Sequence, residues 1–141
     1  MEPFLDTLTI ELGLDPEIYR NPASFIATVR AEISGQILRR ALEKLGGKQI
    51  FARALNTDAT GLENYCRAIR LDRGKSEIVL DTIRVWIRIQ QIWESGQLAE
   101  SWIRSNVPAL GGLRPLELFD TYEGRRWVIQ VIEKIECGEF S

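Results

Sequence analysis

The sequence predicts an all-α protein, a compact helical bundle with a helix-turn-helix-like unit over residues 1–75 and a smaller helical unit over 76–141. Three observations carry that expectation. Apolar residues recur at three- and four-residue spacing through most of the 141 residues. Gly and Pro fall where helices should start or stop. The one alternating run, Ile83 to Gln90, has no partner strand elsewhere in the chain.

Phe4, Leu5, Leu8 and Leu12 fall at helical spacing, and Gly13 suits the C-cap of a short first helix. Asp15-Pro16 and Asn21-Pro22 each read as an N-cap followed by proline at the first helical position. A longer helix is expected from Pro22 to Leu45, burying Phe25, Val29, Ile33, Ile37, Leu38, Ala41 and Leu45, and stopping at Gly46-Gly47. That stripe closes the core; a dimer contact is the alternative reading.

Lys48 to Arg67 has the spacing of a helix-turn-helix. Phe51, Ala52 and Leu55 should bury its first helix, Leu62 and Tyr65 its second, with Asn56 in the left-handed turn position usually given to glycine. Thr60 and Glu63 are spaced as a capping box for the second helix. Its exposed face would offer Asn64 and Arg67 to base edges, with Arg70, Arg73 and Lys75 near phosphates, so operator DNA is an expected partner. The bland reading is a packing hairpin, which Asn at the turn and Glu63 on the reading face both favour.

In the ambiguous run from Glu77 to Ser95, Val79, Ile83, Trp86 and Trp93 hold a helical stripe, which decides for helix over strand. Its β-branched content means that packing rather than propensity must hold it. Gln97 to Arg104 continues as a helix until Asn106-Val107-Pro108 stops it. Ala109 and Leu110 then pack inward, Gly111-Gly112 permits positive φ, and Pro115 opens a short helix through Leu116, Leu118 and Phe119. Asp120 or Thr121 caps a last helix, with Glu123 available to close a capping box. Trp127, Val128, Val131, Ile132 and Ile135 give that helix its apolar stripe, and Gly138 ends it.

Composition narrows the function. A formal charge of −2 and a pI near 5.3 exclude a surface that is basic throughout, although basic residues outnumber acidic ones between Leu45 and Lys75. Histidine is absent, which removes the commonest general base and the commonest zinc ligand. Neither Cys66 nor Cys137 has metal-ligand spacing, so free thiols are expected. No nucleophile–base pair is recognisable, Gly111-Gly112 lacks the Lys-Ser/Thr of a phosphate loop, and Glu133, Glu136 and Glu139 read as a solvated helix face rather than a metal site. The expectation is a non-catalytic protein without metal, cofactor or small-molecule substrate. With no apolar run long enough for a bilayer and no basic leader at Met1-Glu2-Pro3, it is read as cytoplasmic. The four tryptophans read as core; any one left partly exposed would be an interface anchor.

The stretch from Ser101 to Gly124 carries a denser pattern. Trp102, Asn106, Pro108, Leu110, Gly111-Gly112, Pro115-Leu116-Glu117-Leu118, Thr121 and Glu123-Gly124, followed by Ile135 and Gly138, resemble the C-terminal domain of Xre/MbcA/ParS-type antitoxins. Arg114 departs from that pattern, since many relatives have Ser or Thr before the proline. The resemblance implies a type II antitoxin that binds and neutralises an NAD-consuming toxin of the RES fold and represses its own operon through the N-terminal unit. It implicates Gly111, Gly112 and Arg114, with the tail Glu139, Phe140 and Ser141, in covering the toxin's NAD pocket. A homodimer is expected with it. The alternative is a helical transcription regulator without a toxin partner.

Overall fold

The computed structural model describes residues 3–138, which fold into helices and short connections with no strand among them. In chain order the α-helices are α1 (Pro3–Leu12), α2 (Pro22–Ala31), α3 (Gly35–Leu45), α4 (Lys48–Ala54), α5 (Ala59–Arg67), α6 (Arg73–Trp93), α7 (Gly96–Ile103) and α8 (Tyr122–Glu136). Two 3-10 segments, Pro108–Leu110 and Pro115–Asp120, lie between α7 and α8.

Helix α6 is the axis on which the others pack: α2, α3, α4, α7 and α8 all touch it. Val79, Leu80, Ile83, Val85, Trp86, Ile87 and Ile89 are buried, so the helix is apolar on nearly every side. That resolves the strand-like alternation in its sequence: a helix packed on most of its circumference keeps only a narrow polar stripe, here Glu77, Arg84 and Arg88, which leaves little period to read. The Trp86 indole N–H (3.0 Å) and the Gln90 amide (2.9 Å) both donate to the Leu45 carbonyl, tying the last turn of α3 to the axis. Gly47 makes that approach possible. Its φ is +77°, and a Cβ there would lie 2.6 Å from Trp86 Nε1.

The single helix expected from Pro22 to Leu45 is two. Glu32 has φ +65° and ends α2, while Ser34 accepts from the Gln36 N–H to cap α3. The break is fixed from outside. Ile33 donates its N–H to the Ser76 hydroxyl (3.0 Å) and accepts from the Leu71 N–H (2.8 Å), while the Ser76 hydroxyl donates to the Leu71 carbonyl (2.9 Å). Gly35 donates to Ala68, and a Cβ at Gly35 would meet the Tyr65 carbonyl at 2.2 Å. Ser34-Gly35 was therefore a start signal inside an apparently continuous stripe. Helix α2 buries no side chain fully, whereas α3 buries Ile37, Leu38, Ala41 and Leu45.

Helices α4 and α5 form the expected hairpin, with Asn56 at φ +53° in its turn. The cap of α5 differs from expectation. Asp58, not Thr60, is the N-cap, accepting from the Gly61 N–H at 2.9 Å, and Thr60 lies inside the first turn. At the start of α8, Thr121 is the cap, accepting from the Gly124 N–H at 2.9 Å; the third helical position is thus Gly124, and Glu123 closes no box.

One buried cluster runs from Leu8 to Ile132 and takes in residues of both halves of the chain. Helix α4 packs on the second 3-10 segment, with Arg53 3.6 Å from Asp120, and Arg104 at the end of α7 donates to Gln49 of α4 at 3.0 Å. Ser76→Ala should cost about 1–3 kcal/mol in chemical denaturation, because it leaves the Ile33 N–H buried without an acceptor. Ser76→Thr, which keeps the hydroxyl, separates loss of the hydrogen bond from any change of volume.

Candidate functional site

The chain between α7 and α8 is a closed loop held by its own backbone. The Val107 carbonyl accepts from Leu110 (2.9 Å) and Gly112 (3.0 Å), the Val107 N–H donates to the Leu113 carbonyl (3.1 Å), and the Asn106 amide donates to the Gly112 carbonyl (2.7 Å). Val107 and Leu110 are buried beneath, which anchors the loop while its outer edge stays in solvent. Gly111 (φ +66°) and Gly112 (φ +81°) occupy the left-handed region. A Cβ at Gly112 would meet nothing within 4 Å, so its glycine answers to backbone conformation alone.

Beside this edge lies an aromatic that sequence could not single out. Trp86 is buried, and Trp93 and Trp102 are partly buried with ring centroids 6.1 Å apart, but Trp127 on α8 is 38% exposed. A Cβ at Gly111 would sit 3.7 Å from Trp127 Cη2, so the indole lies against the loop. Further along the loop, Leu113 is exposed, and the Arg114 Nε donates to the Glu117 carboxylate at 2.8 Å, holding that carboxyl below its ordinary range. Arg114 makes no side-chain cap, the role that Ser or Thr would fill at this position. Glu139, Phe140 and Ser141 lie outside the described residues.

A buried ion pair sets where α8 sits. Arg125, 4% exposed, donates through Nε to Asp81 Oδ2 (2.7 Å) and through Nη1 to the Phe119 carbonyl (2.9 Å). Asp81 also accepts from Arg84 at 2.5 Å. Gly124, immediately before Arg125, has no room for a side chain: a Cβ would meet the Leu118 carbonyl at 2.0 Å. Sequence reasoning missed Asp81 and Arg125. A lone Asp within an apolar run was the available signal.

The candidate DNA-contacting residues gather at the corner joining α5 to α6, and most are engaged there. Asn64 is exposed on α5, and Arg67 is 3.4 Å from Glu63. Glu63 also accepts from Arg39 at 2.8 Å, which holds its carboxyl below the ordinary range. Arg70 donates to the Ala31 carbonyl at 2.8 Å, close to the α2–α3 break. Lys75 pairs with the N-cap Asp72 and lies over the Tyr65 ring, while Arg73 is exposed. Among the described residues no His, Cys, Asp or Glu cluster could hold a metal ion, and no helix is long and apolar enough to cross a membrane.

Comparison with known proteins meets this geometry. A family model described as the antitoxin Xre/MbcA/ParS C-terminal toxin-binding domain matches residues 89–138, a span that holds the closed loop, Trp127 and α8. The Prs ADP-ribosylating antitoxin of Sphingobium sp. (strain YBL2) is 29% identical over 136 residues, covering 88% of this chain and 86% of that protein. The likeness therefore extends into the N-terminal helices.

Asp81→Asn should destabilise the protein by about 3–5 kcal/mol, because it removes the charge that compensates buried Arg125. The double variant Asp81→Leu, Arg125→Met should recover part of the loss in the same denaturation experiment. A single variant as stable as the parent would show that the pair does not hold α8.

Proposed function

We propose that this chain, whose residues 89–138 match the Xre/MbcA/ParS antitoxin C-terminal toxin-binding domain, is a type II antitoxin that binds and neutralises a RES-type, NAD-consuming toxin. The observation that carries the surface is Trp127, exposed beside the Gly111-Gly112 edge within the matched domain. A large rigid indole next to a self-braced loop is the composition of an interface anchor. On this reading Gly111, Gly112, Arg114 and Trp127 form the contact surface, and the tail Glu139, Phe140 and Ser141 extends it. The name of the Sphingobium relative couples an antitoxin with ADP-ribosylation, a reaction that draws on NAD, which supports an NAD-consuming partner.

A second activity, repression of its own operon as a homodimer, is favoured by the α4–α5 hairpin with Asn56 in its turn. Asn64 and Arg67 would read bases there, while Arg70, Arg73 and Lys75 supply the salt-dependent part. Because Arg67 and Lys75 each face a carboxylate, the surface available for phosphate is smaller than the count of cations suggests.

Trp127→Ala should weaken capture of a coexpressed RES-type toxin by about 2 kcal/mol or more while shifting the melting temperature by only a few degrees. Undiminished capture would place the interface elsewhere. A chain ending at Gly138 should melt normally and lose rescue from the toxin; full rescue would leave inhibition to the loop surface alone. For the second activity, Arg67→Ala should weaken binding to the protein's own promoter region in a gel-shift titration. If binding persists unchanged, α5 is not the reading helix.

A further inference from the structure

A cavity of 470 Å³ opens between α1, α6 and α8, on a different face from the Trp127 surface. The residues of α8 that line it, among them Tyr122, Arg126, Ile129 and Glu133, share one side of that helix. At about 100° per residue, Trp127 points roughly 130° away from them. The cavity thus lies outside the surface assigned above to the toxin.

Its walls carry four guanidinium groups. Arg84 and Arg88 project from α6, and Arg125 and Arg126 from α8. Asp81 serves Arg84 and Arg125 together, Glu136 pairs with Arg88, and Arg126 has no carboxylate partner among the described residues, its group lying 5.9 Å from the Tyr122 ring. Glu133 is the remaining carboxylate on the wall, so guanidiniums outnumber carboxylates. Most of their N–H donors are also unspent: Arg84 and Arg88 each give one hydrogen bond, Arg125 gives two, and Arg126 gives none among the described residues. A guanidinium presents five N–H donors, and several of them lining one cavity suit an anion with several acceptor oxygens. Leu5, Val85, Ile87 and Ile129 supply the apolar part of the lining, with the Tyr19 and Tyr122 rings beside them. The cavity's volume falls within the about 300–1,000 Å³ range of small-molecule sites.

We propose that this cavity binds a small organic phosphate, its phosphate oxygens held by Arg88, Arg126 and the remaining N–H groups of Arg84, and its body seated on the Leu5, Ile129 and tyrosine surface. Arg125 is a positioning residue here, because its two hydrogen bonds to Asp81 and Phe119 fix the wall on which Arg126 stands.

The test is calorimetric titration of the full-length chain with ADP, adenosine, inorganic pyrophosphate and a short polyglutamate peptide. ADP should saturate with Kd below about 1 mM, and adenosine and pyrophosphate should each bind about tenfold or more weakly, since each lacks half of the contacts. Arg126→Gln and Arg88→Gln should each weaken ADP by about tenfold, with melting temperature and toxin capture unchanged, which separates this site from the toxin surface. Absence of saturable ADP binding, adenosine or pyrophosphate binding as tightly as ADP, preferential binding of the peptide, or ADP affinity indifferent to both substitutions would each overturn the proposal.

Discussion

One carboxylate, Asp81, sits at 5% exposure within the helix around which the protein is packed, and the C-terminal architecture follows from how its charge is met. Leaving it unpaired would be prohibitive, so Arg125 must reach it from α8 and Arg84 from the next turn of α6. Arg125 has a second obligation to the Phe119 carbonyl, which pins the 3-10 segment leading into its own helix. Gly124 is then forced, because that close crossing leaves no space for a side chain against Leu118. An apolar pair of similar volume can approach a buried ion pair in net stability, whereas removing one partner alone leaves the other charge buried and uncompensated.

The all-helical class and the positions of most helices were legible because Gly, Pro and capping residues punctuate the sequence closely. Gly13, Gly46-Gly47, Asn56 and Gly138 all adopt the positive φ their placement demanded. Legibility failed where a boundary is set by distant partners. The stripe from Pro22 to Leu45 keeps helical spacing across the break, and what interrupts it is hydrogen bonding to Leu71, Ser76 and Ala68, residues far along the chain. Asp58 took the cap from Thr60 for a local reason: an earlier acceptor two residues upstream reaches the Gly61 N–H, and the helix begins sooner.

The candidate site divides in the same way. Gly111 and Gly112 were candidates on backbone demands and the family resemblance together, and Arg114 on the resemblance alone, at a position where it departs from that pattern. Trp127 could not be named in advance, since exposure depends on which side of α8 meets α6, and that is decided by Arg125. The candidate DNA-facing residues show the converse: all but Asn64 are basic in sequence, yet several serve neighbouring carboxylates and carbonyls, so charge counted along the chain overstates the charge a surface can present. The Ala31 carbonyl that Arg70 holds lies at the very break the helical periodicity concealed.

The unequal burial of the indoles has a spectroscopic consequence. Trp86 donates to a backbone carbonyl inside the core, whereas Trp127 stands at the surface on the far side of α8 from the arginine-lined cavity. Emission from the core indole follows the cooperative state of the whole bundle, and quenching by small solutes in water samples Trp127 preferentially. Intrinsic fluorescence therefore distinguishes occlusion of the loop surface from unfolding without any label. A ligand entering the cavity would leave the quenchable fraction intact.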